Sequence, residues 1–277
     1  MTCLLLCVLL AADDYAISGS ARQAVSPNFQ IDCRSKGHDA RQVALLGERW
    51  RDRLLETWRP QDEPIRWKVS CQIIVHPSRH SYVTALGRGS QNSLGSSWLE
   101  FEKEQVSKRQ IDLLPDHSGE LCAMAHELTH VLVADYFGGK QLPRWADEGM
   151  AILADSEEKR RLHQRDLTLA LSQRKAFHSA ELLAVTDYPD ATRIPAFYGQ
   201  SASMVAFLCR RDKPAKFLEF VQLATKNGHE TSLREVYGLS GHAELEQLWR
   251  SDRVAATDFQ FIRLASVDSS RKKTALP

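Results

Sequence analysis

The chain has 277 residues, 43% of them hydrophobic, so it can bury a large core in one domain or in two lobes. Its 36 basic and 35 acidic residues nearly balance, leaving a formal net charge of +1. This balance excludes the strong net positive charge typical of nucleic-acid-binding or membrane-surface proteins, so neither partner is expected.

The N-terminus carries a short apolar run that extends from Leu4 to Ala12. A membrane span needs about 20 apolar residues, so no transmembrane span is expected here. The run is typical of the apolar region of a secretory signal peptide, although no basic residue precedes it. We therefore predict a signal peptide at residues 1–12 and an exported protein that is periplasmic, cell-surface or secreted. The alternatives are a start further upstream and a buried N-terminal segment.

Hydrophobic periodicity predicts strands in the first part of the chain. Apolar residues spaced by three and four also predict a helix over residues 39–58. Residues 13–27 are polar and predict a lead-in segment, and the Gly/Ser-rich residues 86–97 predict a loop. The predicted strands lie at residues 29–33, 67–75, 98–101 and 106–114.

The second part of the chain has a helical pattern. A helix is predicted from Gly119 to Tyr136, where Gly138-Gly139 ends it, and another from Pro143 to Ala154. Residues 266–277 are predicted to be a disordered tail. Further helices are predicted at residues 157–174, 201–210, 215–225 and 243–250. This order of elements predicts an α+β fold, in which a small mixed β-sheet lobe precedes a mostly helical lobe.

Four cysteines remain once Cys3 and Cys7 are removed with the predicted signal peptide: Cys33, Cys71, Cys122 and Cys209. Cys33 and Cys71 both lie on apolar faces of predicted strands. In an exported protein they are the preferred disulfide, and the alternative is two buried free thiols.

A possible metal site lies on the predicted helix that begins at Gly119. His126 and His130 are four residues apart, so one face of the helix presents both imidazoles to one point. Glu127 points about 100° around the helix, where it can reach a metal-bound water as a general base. The spacing therefore predicts a zinc site with a catalytic acid-base residue. The opposite face carries an apolar stripe that would anchor the helix: Leu121, Ala125, Leu128 and Leu132.

A family resemblance supplies the third ligand. The helix with the His-Glu-x-x-His pattern is followed by a Gly-containing turn and then by Pro-x-Trp-x-x-Glu-Gly-x-Ala at residues 143–151. Over residues 123–155 this pattern resembles gluzincin metallopeptidases, the thermolysin-like class, and most of all bacterial peptidase MA-like domains. The resemblance implies that Glu148 is the third zinc ligand and that Tyr198 donates its phenol to the reaction intermediate. The alternatives are a solvated carboxylate at a helix start and a packing tyrosine.

The resemblance also implies a domain organisation and a substrate site. A zincin-like domain would cover residues 28–265, with the sheet lobe and active-site helix at 28–137 and the helical lobe at 138–265. In the resembling family an edge strand binds the backbone of an extended peptide, and the strand at residues 106–114 is expected to do so here.

Other polar residues near the motif receive more ordinary interpretations. Asp147 is interpreted as a first-turn acid of its helix. Asp155 lies on the same face as Glu148, seven residues later, and is placed to hold the second nitrogen of a ligating histidine. Cys122, one turn before His126, is expected to pack or to pair with Cys209, because a fourth protein ligand would close the site. His76, His163 and His178 lack ligand spacing and are interpreted as structural or exposed.

Together these observations predict a zinc-dependent metallopeptidase that acts on a peptide or protein substrate. A non-catalytic zinc-stabilised binding domain of the same fold is the first alternative, although Glu127 would have no purpose in it. The second alternative is an accidental motif in an exported helical binding protein.

Overall fold

The computed structural model of the protein describes residues 15–58, 67–137 and 142–252. The predicted signal peptide at 1–12, the Gly138-Gly139 helix end and the predicted tail at 266–277 lie outside these residues. Among the described residues, no helix combines the length and the apolar character that crossing a membrane requires.

A mixed sheet occupies the N-terminal part of the chain. Its order is β1-β2-β3-β4-β6-β5, so β6 lies inside the sheet and β5 forms an edge. Strands β3, β4 and β6 run parallel to one another, and β5 pairs with β6 in the antiparallel direction. The six strands are β1 (Ser18–Gly19), β2 (Gln23–Val25), β3 (Phe29–Cys33), β4 (Cys71–Val75), β5 (Gly95–Glu102) and β6 (Gln105–Leu113).

Helices make up most of the remaining described residues. Eight of them follow the sheet, so the predicted α+β fold with a sheet followed by a mostly helical part is confirmed. The ten α helices in the described ranges are α1 (Ala40–Trp58), α2 (Arg79–Leu86), α3 (Met124–Ala134), α4 (Arg144–Leu153), α5 (Glu157–Ser172), α6 (Ser179–Leu183), α7 (Ile194–Arg211), α8 (Pro214–Asn227), α9 (His229–Tyr237) and α10 (His242–Ser251).

Several predicted boundaries need correction. The polar lead-in at residues 13–27 contains β1 and β2, which are too short and too polar to show a hydrophobic period. The predicted loop at 86–97 is wrong at its end, since β5 begins at Gly95. The helix predicted from Gly119 begins at Met124, because residues 117–119 and 122–123 form turns instead. Helices α2, α6 and α9 were not predicted.

Helix α3 joins the two parts of the fold. It contacts β5 and β6 on one side and α1 and α4 on others, so nearly its whole surface is covered. Leu128 and Val131 are fully buried, as are Ile73 and Ile111 in the sheet beside it. An apolar helix enclosed in this way is anchored by hydrophobic burial, which fixes the direction of its few polar side chains.

The preferred disulfide between Cys33 and Cys71 is wrong, because both cysteines are free and buried. In the β3–β4 pair, Phe29 lies opposite Cys71 and Cys33 lies opposite Val75. The two cysteines are therefore four residues apart along the sheet, about 13 Å at the usual strand rise. A disulfide needs Cα atoms within about 7 Å. Cys122 and Cys209 are also free, so the alternative of free thiols holds for both pairs.

A buried carboxylate fastens α1 to the start of the sheet. Glu48 is fully buried and accepts hydrogen bonds from Ser26 Oγ at 2.7 Å, from the Asn28 backbone N–H at 2.8 Å and from Asn28 Nδ2 at 2.7 Å. The Asn28 side-chain oxygen in turn accepts from the backbone N–H of Trp67 at 2.9 Å. These bonds satisfy the polar groups of the turn between β2 and β3, as well as the entry to β4.

Replacing Glu48 with alanine should lower the free energy of unfolding by about 3 kcal/mol, because three buried donors lose a charged acceptor. Chemical denaturation measures this change. Glu56→Ala, on the exposed face of the same helix, is the matched control and should change stability by less than about 0.5 kcal/mol. A loss below about 1 kcal/mol in Glu48→Ala would show that the network contributes little.

Candidate metal centre

The two histidines of the motif lie on the one face of α3 that the core leaves open. Their side chains are 13% and 14% exposed, and the imidazole ring centroids of His126 and His130 are 5.0 Å apart. All four members of the predicted apolar stripe are buried, three of them on α3 and Leu121 just before it: Leu121, Ala125, Leu128 and Leu132. The anchored helix therefore directs both imidazoles into the same cleft.

Glu148 reaches these imidazoles from α4, which packs across α3. One ligand atom each from His126, His130 and Glu148 lies within 4.8 Å of the others, and Glu148 Oε2 is 3.9 Å from His126 Nε2. The structure thus brings the three predicted ligands together. Glu148 is 5% exposed, so it is not the solvated helix-start carboxylate of the alternative interpretation.

The second nitrogen of each imidazole is held by a carboxylate. His126 Nδ1 lies 3.2 Å from Asp155 Oδ2, which confirms the predicted contact of Asp155. His130 Nδ1 lies 2.7 Å from Asp147 Oδ1, so the interpretation of Asp147 as an ordinary first-turn acid is wrong. An ionised carboxylate can only accept, so each Nδ1 donates, and Nε2 is the nitrogen of each neutral imidazole that can bind a metal.

The charges of the site favour a bound cation. Burial would lower the pKa of His130, but the nearby Asp147, Glu148 and Glu127 carboxylates outweigh it and raise that pKa to about 10. Burial likewise opposes ionisation of Asp147 and Asp155, yet their histidine partners bring both pKa values below the usual value. Asp147 and Asp155 therefore stay ionised at neutral pH and stabilise positive charge on the two histidines.

This donor set fits zinc. Two imidazole nitrogens and one carboxylate oxygen are a common ligand set of catalytic zinc sites, which keep a further position open. Zinc binds such atoms at about 2.0–2.2 Å, so tetrahedral ligand atoms lie about 3.4 Å apart. The separations in the structure exceed this by at most about 1.4 Å, which side-chain rotations can close. The carboxylates on both Nδ1 atoms match the outer partners of zinc-bound histidines.

Glu127 lies beside the ligands without a fixed partner. Its side chain is buried, and no residue in the described ranges forms a hydrogen bond or an ion pair with its carboxylate. Gly95, the first residue of β5, lies directly against it. A Cβ at position 95 would stand 2.7 Å from Glu127 Cγ and Oε1 and 2.7 Å from the Ala123 Cβ. The edge strand and Glu127 therefore approach each other as closely as a glycine allows.

Two tyrosines approach the site from the helical part. Tyr198 lies within the second turn of α7 rather than at its start, half-buried in the cleft wall. Burial and the Glu148 carboxylate together raise the pKa of Tyr198 to about 12. Tyr188, which the sequence analysis missed, precedes α7 and donates its phenol to Glu148 Oε1. Both phenols are protonated at neutral pH and can donate hydrogen bonds. No periodic or motif signal marks Tyr188.

The site opens into a cleft of about 760 Å³. One wall is the edge strand β5, including Ser96, Leu99 and Phe101, and the other consists of residues from α4, α5 and α7. The expectation that the strand at residues 106–114 forms this edge is wrong, because β6 pairs on both sides with β4 and β5. The hairpin from β5 to β6 places the earlier strand outermost, so β5 faces the cleft.

The remaining histidines and Cys122 have mixed outcomes. His76 is structural: Nε2 lies 2.7 Å from Asp112 Oδ1 and Nδ1 lies 3.2 Å from Ser81 Oγ. The His178 side chain is exposed. His163, however, lines the cleft and packs its ring against Tyr198 at 5.6 Å between centroids. Cys122 also lines the cleft, outside the set of three ligands.

No protein-family model matches the chain, and a search among curated proteins finds no match.

Replacing Asp147 with asparagine should weaken zinc binding by about 10- to 100-fold, because His130 loses the carboxylate that orients it and increases its basicity. Competition with a zinc-sensitive chelator measures the affinity. Glu235→Gln, an exposed acid on α9, is the control and should bind zinc as the wild type does. Equal affinity in Asp147→Asn and the control would mean that Asp147 does not support a metal ligand.

Proposed function

We propose that this protein is a zinc-dependent metallopeptidase of the gluzincin class, similar to peptidase MA-like proteins. The observation that supports this most is the convergence of His126, His130 and Glu148 while carboxylates hold both Nδ1 atoms. Glu127, which has no hydrogen-bond or ion-pair partner in the described part of the chain, lies beside that convergence. The family membership rests on the resemblance of residues 123–155 and on this geometry.

Glu127 is the proposed general base and acid. Zinc, when bound, supplies a Lewis acid that polarises the scissile carbonyl and lowers the pKa of a water. The Glu127 carboxylate accepts a proton from the attacking water and later delivers it to the leaving nitrogen. Its lack of a hydrogen bond or ion pair with the described residues suits this role, because a carboxylate committed to a salt bridge would be a weaker base.

Tyr198 is the proposed donor to the oxyanion that forms when the carbonyl carbon becomes tetrahedral. Its phenol is protonated at neutral pH and lies in the same cleft as Glu127. Tyr188 is a less suitable donor, since its hydroxyl already donates to Glu148. A preorganised donor in a cleft shielded from water stabilises developing negative charge more than a donor in bulk water does.

The proposed substrate is a peptide or protein in extended conformation. Strand β5 is an edge of the sheet, and such an edge offers unpaired backbone N–H and C=O groups to an added strand. Because Gly95 on this strand touches Glu127, a peptide paired with β5 would pass directly over the base. We therefore propose β5, instead of the strand at residues 106–114, as the strand that binds the substrate.

The alternative of a non-catalytic zinc-stabilised binding domain explains the ligands but not Glu127. A structural site is closed by four protein ligands, whereas three converge among the residues that the structure describes, and the neighbouring Glu127 lines the cleft. The alternative of an accidental motif would not account for Asp147 and Asp155 behind the two histidines. Export stays a prediction from residues 1–12.

Replacing Glu127 with glutamine should reduce peptide hydrolysis by about 10²- to 10⁴-fold, because the amide cannot accept the proton. A mixed peptide library with added zinc, read by mass spectrometry, measures cleavage, and the bound zinc should stay at the wild-type level. Glu235→Gln should cleave as the wild type does. Hydrolysis retained in Glu127→Gln would contradict the proposed role, and no cleavage by the wild type would favour the binding domain.

Replacing Tyr198 with phenylalanine should lower kcat by about 100-fold with little change in KM, because the lost hydrogen bond forms only with the oxyanion. Steady-state kinetics on a peptide selected from the library measures both constants. The matched control is Tyr237→Phe, whose ring packs against Phe220 outside the cleft. An unchanged kcat in Tyr198→Phe would leave Tyr198 with only the packing role.

A further inference from the structure

Arg144 is the residue of the cleft that neither the zinc ligands nor the proposed chemistry uses. It is the first residue of α4 and lies one helical turn before Glu148, on the same face. Its side chain lines the same cleft as His126, Glu127 and Glu148. It therefore lies close to the reacting groups.

The location of Arg144 is unfavourable for a cation in the absence of a ligand. The N-terminus of a helix carries partial positive charge, so a basic residue in the first turn is repelled by it. A bound zinc ion would add further positive charge one turn away. In ordinary helices an acid occupies this position, so a structural explanation for arginine here needs a compensating anion.

The protein does not supply that anion from the described residues. Within residues 15–58, 67–137 and 142–252, Arg144 has no carboxylate within 4.0 Å, and its buried Nε has no hydrogen-bond partner. The nearby acids are engaged elsewhere: Asp147 holds His130, and Asp155 holds both His126 and Lys159. Among the described residues the guanidinium therefore has no ion-pair partner, and Asp147 acts on its charge only at longer range.

Tyr188 holds the guanidinium in place. The Cζ atom of Arg144 lies 4.8 Å from the centroid of the Tyr188 ring, while the hydroxyl of the same ring donates to Glu148. A guanidinium stacked on a ring keeps its N–H groups at its edge, where a planar carboxylate can accept two hydrogen bonds. One phenol ring thus fixes the distance between Arg144 and the zinc ligand.

We propose that Arg144 binds a carboxylate of the peptide substrate close to the scissile bond. This inference rests on the proposed peptidase function. Only the Tyr188 ring separates the guanidinium from Glu148. Because an extended peptide advances about 3.3–3.6 Å per residue, the guanidinium lies within about three residues of the bond that is cut. The carboxylate is either the C-terminal one or an aspartate or glutamate side chain, since both present the same planar anion.

The test uses peptides that differ only in carboxylates. The parent is a cleaved library peptide with its C-terminus amidated and no acidic residue within three positions of the cut. One arm restores the free C-terminal carboxylate in versions shortened to end one, two or three residues after the cut. The other arm introduces glutamate at each of the six positions, with glutamine as the neutral match. The ratio of kcat/KM for acid and neutral members of each pair measures recognition of the charge.

The wild type should prefer the acid member of at least one pair by about 10- to 100-fold, the range for a hydrogen bond to a charged group. Arg144→Gln should bring that ratio close to one, and Arg144→Lys should keep part of it, since it retains the charge but not the planar pair of donors. Arg161→Gln, on the exposed face of α5, should keep the wild-type ratio. Bound zinc, measured in every variant, shows that the site is intact.

Two results would overturn the inference. One is a wild type that cleaves peptides without preferring any acid member. The other is an acid-to-neutral ratio of kcat/KM that stays at the wild-type value in Arg144→Gln. An equal loss of activity on acid and neutral peptides leaves this ratio unchanged and so counts as this second result. A purely structural role for Arg144 predicts this equal loss, because a displaced Tyr188 would affect all substrates.

A binding measurement separates the inference from the proposed function. Fluorescently labelled acid and neutral peptides of the same set are titrated against zinc-loaded Glu127→Gln, with and without Arg144→Gln, and binding is read by fluorescence polarisation. If nothing is cleaved, the peptides have random sequences instead of the library consensus. If the wild type cleaves nothing but acid peptides bind more tightly in an Arg144-dependent way, the peptidase proposal fails and the carboxylate site stands. If binding shows no dependence on Arg144, the carboxylate site is overturned whether or not cleavage occurs.

Discussion

The packing of α4 against α3 is the constraint on which the whole site depends. Consecutive residues of α4 reach the two imidazoles of α3. Asp147 Oδ1 lies 2.7 Å from His130 Nδ1 and Glu148 Oε2 lies 3.9 Å from His126 Nε2, so a shift of either helix would disturb both approaches. On the other side of α4, Gly149 lets the helix pack closely against α7. A Cβ there would lie 2.5 Å from Val205 Cγ2 and 2.7 Å from the Ser201 carbonyl oxygen of α7. Helix α4 is thus held between α3 and α7 at a distance that only glycine permits.

The sheet also approaches the site at a distance that only a glycine permits, at Gly95 of β5. Strand β5 touches Glu127 through Gly95, while α3 packs on the same strand with its apolar residues. Hydrophobic burial therefore sets the position of Glu127, the proposed base, relative to the edge where a peptide is proposed to bind. In the proposed peptidase, this packing on several sides would keep Glu127 within the small displacements that hydrolysis tolerates.

The sequence predicted the contacts that follow from the geometry of a single helix. It did not predict the contacts that depend on how two distant segments pack together. The convergence of His126 and His130 follows from a four-residue spacing, which depends only on helical geometry. Asp147 was misjudged because its partner depends on how α3 and α4 cross, although an acid next to a predicted ligand is a usable signal. Tyr188 had no signal, since it lies in an irregular segment. The edge strand was misassigned because two adjacent strands of a hairpin have the same alternation, whichever one is outermost.

The two histidines are not equivalent, and the charges around them explain why. Asp147 serves His130 at 2.7 Å, whereas Asp155 divides its charge between His126 at 3.2 Å and Lys159 Nζ at 3.0 Å. His130 therefore has the stronger partner and should be the more basic ligand. The weaker contact, between Asp155 and His126, lies on the side where Lys159 and His163 line the cleft. The stronger contact, between Asp147 and His130, lies on the side of α4, where Arg144 adds positive charge. Asp147, one turn from Arg144, moderates that charge without pairing with it, so the guanidinium stays available to an anion that arrives with the substrate.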